Sequence, residues 1–188
     1  MLYILVAVAV VLALGVIVIY NQLVAMRQTC RQGWADIDAQ LRQRHDLIPN
    51  LVNAVKGYAE HEKSTLEEVI KARNNAVSAQ QPGDLAKAED ILSSALRKLF
   101  ALAEAYPDLK ANTNFLSLQN ELADVEDKLA AARRAYNGVV ARYNGAVESF
   151  PAVLFAGSLG FKHRDFWELA ESERSTIAAA PEVSFSNA

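Results

Sequence analysis

The side chains able to carry chemistry are few in this sequence, and their spacing does not gather them. Its three histidines are His45, His61 and His163. A zinc or di-iron site on helices needs ligands one turn apart, as in H-x-x-x-H or E-x-x-H, so that two donors point the same way. No histidine here has such a neighbour, and His61, set between Glu60 and Glu62, reads as part of a solvated face. Cys30 is the single cysteine, so it closes no internal disulfide. It follows a long apolar run by about ten residues, where palmitoylation would be the sharper reading and a small interfacial residue the simpler, favoured one. There is no glycine-rich phosphate loop, no G-x-S-x-G elbow and no Cys/His pair suited to nucleophilic attack. Glu121, Asp124, Glu126 and Asp127 run round a helix instead of converging, with Lys128, Arg133 and Arg134 at spacings that can neutralise them. No catalytic residue, no cofactor and no metal ligand is expected.

Two patterns stand out from this background. Tyr136-Asn137-Gly138 and Tyr143-Asn144-Gly145 repeat one heptad apart, stacking two tyrosines and two asparagines on one side of a helix. Each glycine there costs about 1 kcal/mol of helix stability, an outlay that suggests a closely approaching neighbour, with the Asn amides bonding across helices. The second pattern is Pro49-Asn50 inside an otherwise helical stretch. Together Pro49, Asn50, Tyr136, Asn137, Tyr143 and Asn144 form the candidate structural or interaction seam. The alternative is a small-ligand, metal-binding or catalytic site in the core near Pro49, built from His45, Asp46 and Tyr136 if these meet.

The elements that must position these residues begin with Leu2 to Tyr20, a run without a charged side chain. As a helix it is roughly 28 Å long, against about 30 Å for a bilayer's hydrocarbon core. It lacks the basic start and small-residue end of a cleaved signal, so it reads as a retained single-pass anchor. Arg27, Arg31, Arg42 and Arg44 follow the span while nothing basic precedes it, which places the body on the cytoplasmic side of the inner (plasma) membrane.

Beyond the anchor the apolar residues step by three and four. One stripe is Trp34, Ile37, Leu41, Ile48, Val52, Val55 and Ala59, resuming as Leu66, Val69 or Ile70, Arg73 and Val77 up to a loop at Gln80 to Gly83. Pro49 either kinks this helix or breaks it. Asp84 is the expected N-cap of the next helix, with Leu85, Ala88, Ile91 or Leu92, Ala95, Leu99 and Leu102 as its stripe. A helix of about 37 residues then runs from near Asn112 to Phe150-Pro151 on Leu118, Leu122, Val125, Leu129, Ala132, Tyr136, Val139 or Val140, Tyr143 and Val147. Past Pro151, Arg164 to Ser172 can make one short helix. Phe150, Phe155, Phe161, Phe166 and Trp167 concentrate there, either capping the open end of the bundle or forming a partner or membrane-surface patch.

Net charge of −3 and a pI near 5.7 exclude the basic balance of a nucleic-acid binder. The residue run also resembles the LemA family of bacterial membrane-anchored proteins along nearly its whole length. The resemblance rests on Tyr20-Asn21 with Leu23-Val24, on Trp34 with Ile37-Asp38-Ala39-Gln40-Leu41, and above all on Arg44-His45-Asp46-Leu47-Ile48-Pro49-Asn50-Leu51-Val52. Val55-Lys56-Gly57-Tyr58, Phe115-Leu116-Ser117-Leu118-Gln119, Ala132-Arg133-Arg134, the two Tyr-Asn pairs, Phe150-Pro151 and Gly160-Phe161 continue it in order. It departs at Asp124-Val125-Glu126, where the family more often has a Thr-Glu pair. The resemblance implies one N-terminal transmembrane helix with a short outer N-terminus, a soluble helical bundle, and no established catalytic residues or cofactor.

The expectation is therefore an all-α protein, an N-terminal transmembrane helix followed by an antiparallel up-and-down helical bundle. It has three long helices, or four if the first breaks at Pro49, with some coiled-coil character. Residues 1–22 are the anchor, 23–172 the bundle and 173–188 a loose tail. Its partners would be the lipid bilayer, through Leu2 to Tyr20, and a protein partner or a second copy of itself, with no nucleic acid. Its role would be that of a scaffold or interaction module, not an enzyme.

Overall fold

Fifty-five residues, Leu2–Lys56, form one unbroken helix, α1. The computed structural model describes residues 1–59, 61–79 and 82–167, and the expected tail at 173–188 lies outside them. After α1 come α2 (Lys63–Ser78), α3 (Pro82–Ala103), the single turn α4 (Pro107–Lys110), α5 (Thr113–Glu148) and a 3-10 turn at Ala152–Leu154. The fold is all-α, with no strand among the described residues. They divide into two compact units, Met1–Leu47 with Gln119–Phe166, and Ile48–Leu118 with Trp167.

Helix α1 changes character at Leu23. From Leu2 to Val18 every side chain is exposed; then Leu23, Cys30, Ile37, Arg44 and Leu51 are buried, each seven residues after the last, with Leu41, Ile48 and Val55 as a companion row. Pro49 does not break the helix. Its ring is exposed, while Ile48, Leu51 and Val52 on either side of it are buried. Burial at about 1.5–3 kcal/mol per large side chain outweighs the roughly 3 kcal/mol that proline costs inside a helix. The interruption falls at Gly57 instead, where helix propensity is lowest; the chain leaves α1 through Tyr58 and Ala59 N–H groups that both donate to the Val55 carbonyl at 3.0 Å. Among the described residues the long helices are thus four, parted after Lys56 and not at Pro49.

In the unit containing Ile48–Leu118, α2 and α3 lie against each other and run antiparallel, with Lys98 and Glu68 paired at 2.6 Å. The face of α2 is Leu66, Val69, Ala72 and Ala76, one residue out of phase with the expected Arg73 and Val77; Ile70 and Val77 are exposed. α3 answers with Leu92, Ala95, Leu96, Leu99 and Ala103, and Ile91 is exposed. Alanines on both faces let two backbones approach closely, which favours this phase over one led by larger side chains. Helix α3 also begins earlier than expected. Pro82 takes its first position, where a missing N–H is harmless, and Asp84 sits inside the first turn instead of capping it. Asn112 does cap α5, its side-chain oxygen accepting from the Phe115 N–H at 3.0 Å. Its amide also donates to the Tyr58 hydroxyl at 2.9 Å, and Phe115 meets Phe100 edge-on at 6.2 Å.

In the other unit α1 and α5 run antiparallel. As residue numbers rise along α1 they fall along α5: the Cys30 thiol donates to the Val139 carbonyl, Trp34 meets Tyr136 and Arg44 pairs with Glu126. The buried row of α5 is the expected one, Leu118, Leu122, Val125, Leu129, Tyr136, Val140, Tyr143 and Val147, except that Ala132 is only half-buried. Beyond α5 the chain turns back, and residues 161–167 form no regular secondary structure; the short helix expected from Arg164 is absent up to Trp167, and the remainder of that stretch lies outside the described residues.

Candidate functional site

The Tyr-Asn repeat of α5 holds the returning chain. The Tyr143 hydroxyl donates to the Lys162 carbonyl and the Tyr136 hydroxyl to the Asp165 carbonyl, each at 3.0 Å. Between them the Asn144 amide donates to the Arg164 carbonyl and its oxygen accepts the Arg164 N–H, each at 2.9 Å. One side chain so mimics the paired bonds of a neighbouring strand. The heptad spacing that stacks Tyr136 over Tyr143 matches two carbonyls three residues apart on an extended segment, about 10 Å in both cases. The expectation of asparagines bonding across helices is thereby corrected for Asn144, whose partner is a backbone.

The glycines behave differently from expectation as well. A Cβ at Gly138 or Gly145 would meet nothing within 4 Å, so neither admits a close neighbour. The glycine that does face the neighbouring helix is Gly33 on α1, where a Cβ would lie in ordinary contact 3.5 Å from the Tyr136 Cα. Beside it Trp34 meets Tyr136, ring centroids 5.4 Å apart at 64°.

The Arg164 guanidinium is the charge that acts on all three titratable groups of this site. Burial raises the phenol of Tyr136 and that of Tyr143 above the ordinary tyrosine value, with the Arg164 guanidinium pulling the other way. Burial likewise raises the Cys30 thiol, again opposed by Arg164. Protonated phenols and a protonated thiol are what hydrogen bonds to carbonyls require, and a thiol so placed is a poor nucleophile. Cys30 is fully buried, in keeping with its simpler reading.

The alternative site is not assembled. His45 is buried whereas Asp46 is exposed. Tyr136 is engaged with Trp34, eleven residues and about 16 Å of helix away from His45. Pro49 and Asn50 are exposed; beside Pro49, Ile48, Val52, Asn53, Ile70, Arg73 and Asn74 line a mainly apolar hollow of about 180 Å³. Among the described residues no three His, Cys, Asp or Glu side chains come together as a metal site would need. Asn137 is half-buried.

Sequence reasoning missed Arg44, which is fully buried and ion-paired with Glu126 at 2.5 Å. The signal was present: Arg44 stands in seven-residue register with Cys30, Ile37 and Leu51. It also missed Glu89, buried on α3.

Known proteins share this sequence pattern. The LemA family model matches residues 33–185. The magnetosome protein MamQ of Magnetospirillum gryphiswaldense is 24% identical over 174 residues, covering 79% of this chain and 64% of that one. Protein LemA of Metamycoplasma hominis is 26% identical over 161 residues, covering 84% and 72%. The chain thus spans under two thirds of the length of the MamQ relative, 64%. The match covers α1 from Gly33 onward, all of α5 and the Tyr-Asn clasp, and the chain belongs to the LemA family.

Proposed function

We propose that this protein is a single-pass, membrane-anchored scaffold without catalytic activity, its helical body on the cytoplasmic side of the plasma membrane and presenting coiled-coil-like helix faces to a protein partner or a second copy. The observation that carries the reading is the change along α1. One unbroken helix has a leading segment of mean hydropathy 3.2 with none of it buried, and then becomes the spine of a packed unit. A soluble protein would bury so apolar a helix; a bilayer accounts for its exposure. The polar groups most suggestive of chemistry, Tyr136, Tyr143 and Asn144, hold backbone atoms of their own chain.

The reading is tested on the full-length protein carrying Cys30→Ala and a single cysteine at exposed Glu67. An impermeant maleimide is expected to label it only after lysis, and alkaline carbonate to leave it in the membrane pellet. Labelling of intact cells would overturn the cytoplasmic side, and release by carbonate the anchor. Reproducible stabilisation by a metal ion or metabolite in a thermal-shift screen would favour a ligand-binding domain instead.

A further inference from the structure

Outside the leading segment of α1, large exposed apolar side chains such as Val77 and Ile91 are scattered singly among the described residues, but three lie together. Phe150 is 80% exposed, Val153 53% and Leu154 72%, all on the turn that follows α5. Their level in the fold is set by their neighbours. A shallow hollow is lined jointly by Ile19, Gln22 and Leu23 of α1 and by Ala146 and the turn from Ser149 to Ala152. Helix α5 therefore stops, and the chain reverses, level with the end of the charge-free run of α1. The returning chain is fixed there too: the buried Phe161 ring lies edge-on to Tyr20 at 5.4 Å, with the Arg27 guanidinium 5.0 Å from its centroid.

We infer that the turn at residues 150–154 is a second membrane contact, its apolar side chains entering the interfacial layer of the leaflet from which α1 emerges. This rests on the proposal that Leu2 to Tyr20 spans the bilayer. Two observations beyond exposure favour lipid as the covering surface. The turn is continuous with the anchor's own lipid-facing segment at one depth. Its backbone is also partly paired within itself: the N–H groups of Val153 and Leu154, and of Phe155 and Ala156 just after them, donate to the carbonyls of Ser149, Pro151, Ala152 and Ala152 at 2.8 to 3.2 Å, which lowers the cost of leaving bulk water for the wet interfacial layer. Exposed Lys162, a few residues on, stands where anionic headgroups would meet it. The anchor confines the turn near the surface, so even weak insertion keeps it there.

The test uses the full chain with Cys30→Ala in phosphatidylcholine–phosphatidylglycerol vesicles, bearing an environment-sensitive fluorophore on one introduced cysteine. The positions are Leu12 in the anchor, Glu67 in the body, and Leu154 or Val153 in the turn. Lipids with a nitroxide near the headgroup are expected to quench the turn labels about threefold more than the Glu67 label, and aqueous iodide to reach them correspondingly less. If Leu12 is quenched by lipid nitroxide while both turn labels respond to iodide as Glu67 does, the turn faces water and the inference fails with the anchor intact. If Leu12 itself escapes lipid quenching, the anchor reading falls and this one with it.

Discussion

Replacing Asn144 by alanine removes both bonds that tie Arg164 to α5 while leaving the helix itself intact. Each bond contributes about 0.5–1.5 kcal/mol net. Against their sum stands about 0.5–0.7 kcal/mol regained because alanine is the better helix former. The expected cost is centred near 1.5 kcal/mol, felt locally, since Tyr136 and Tyr143 still hold Asp165 and Lys162. Opening of the returning segment then becomes roughly tenfold more frequent. Trypsin reads this directly, because Lys162 and Arg164 are its targets and cleavage follows the open fraction when reclosing is fast. In the full-length protein in nanodiscs, cutting after these two residues should accelerate about tenfold, with cutting after Lys128 and Arg134 in α5 unchanged. Asn144→Asp keeps the acceptor for the Arg164 N–H but sets a carboxylate against its carbonyl, and should open the segment at least as far. An unchanged cleavage rate in both variants, or a parallel rise at Lys128, would refute the clasp as a local restraint.

Three further outcomes follow from the same packing. Because burial raises the Tyr136 and Tyr143 phenols, the unfolded chain loses these protons at a lower pH than the folded one. Stability should be level below pH about 10 and fall as pH rises through the folded values; alkaline melting curves should show a shallower fall for Tyr143→Phe, and an equal slope would count against the shift. Gly138→Ala and Gly145→Ala fill open space and should each raise stability by about 0.5–1 kcal/mol in chemical denaturation, whereas a loss would reveal a close neighbour. Pro49→Ala restores an N–H within a continuous helix and should raise the melting temperature without altering helix content; a fall would mean that the fold depends on the proline's bend.

The α5 row and the charge-free opening of α1 were legible because burial there repeats with the helical period, and period is what a sequence displays. The phase of α2 was not, since Ile70 and Val77 outscore Ala72 and Ala76 in hydrophobicity while the alanines win through close packing. Arg44 was overlooked by charge and identifiable by register. The clasp was half visible: the heptad repeat of Tyr-Asn marked the donors, but the carbonyls they serve belong to a segment with no periodicity of its own. The glycines beside them pointed to the wrong place, because they face open space and it is Gly33 on α1 that lies against α5.

An unbroken α1 also has a mechanical meaning. With the anchor proposed here there is no joint between bilayer and body, so the helix is a lever gripped at one end. From Tyr20 to Leu47 its arm is about 40 Å, and a change of about 10° in helix tilt, well inside the range that hydrophobic mismatch imposes, sweeps the far end by roughly 7 Å. Membrane thickness would thereby be converted into displacement of the α1–α5 unit.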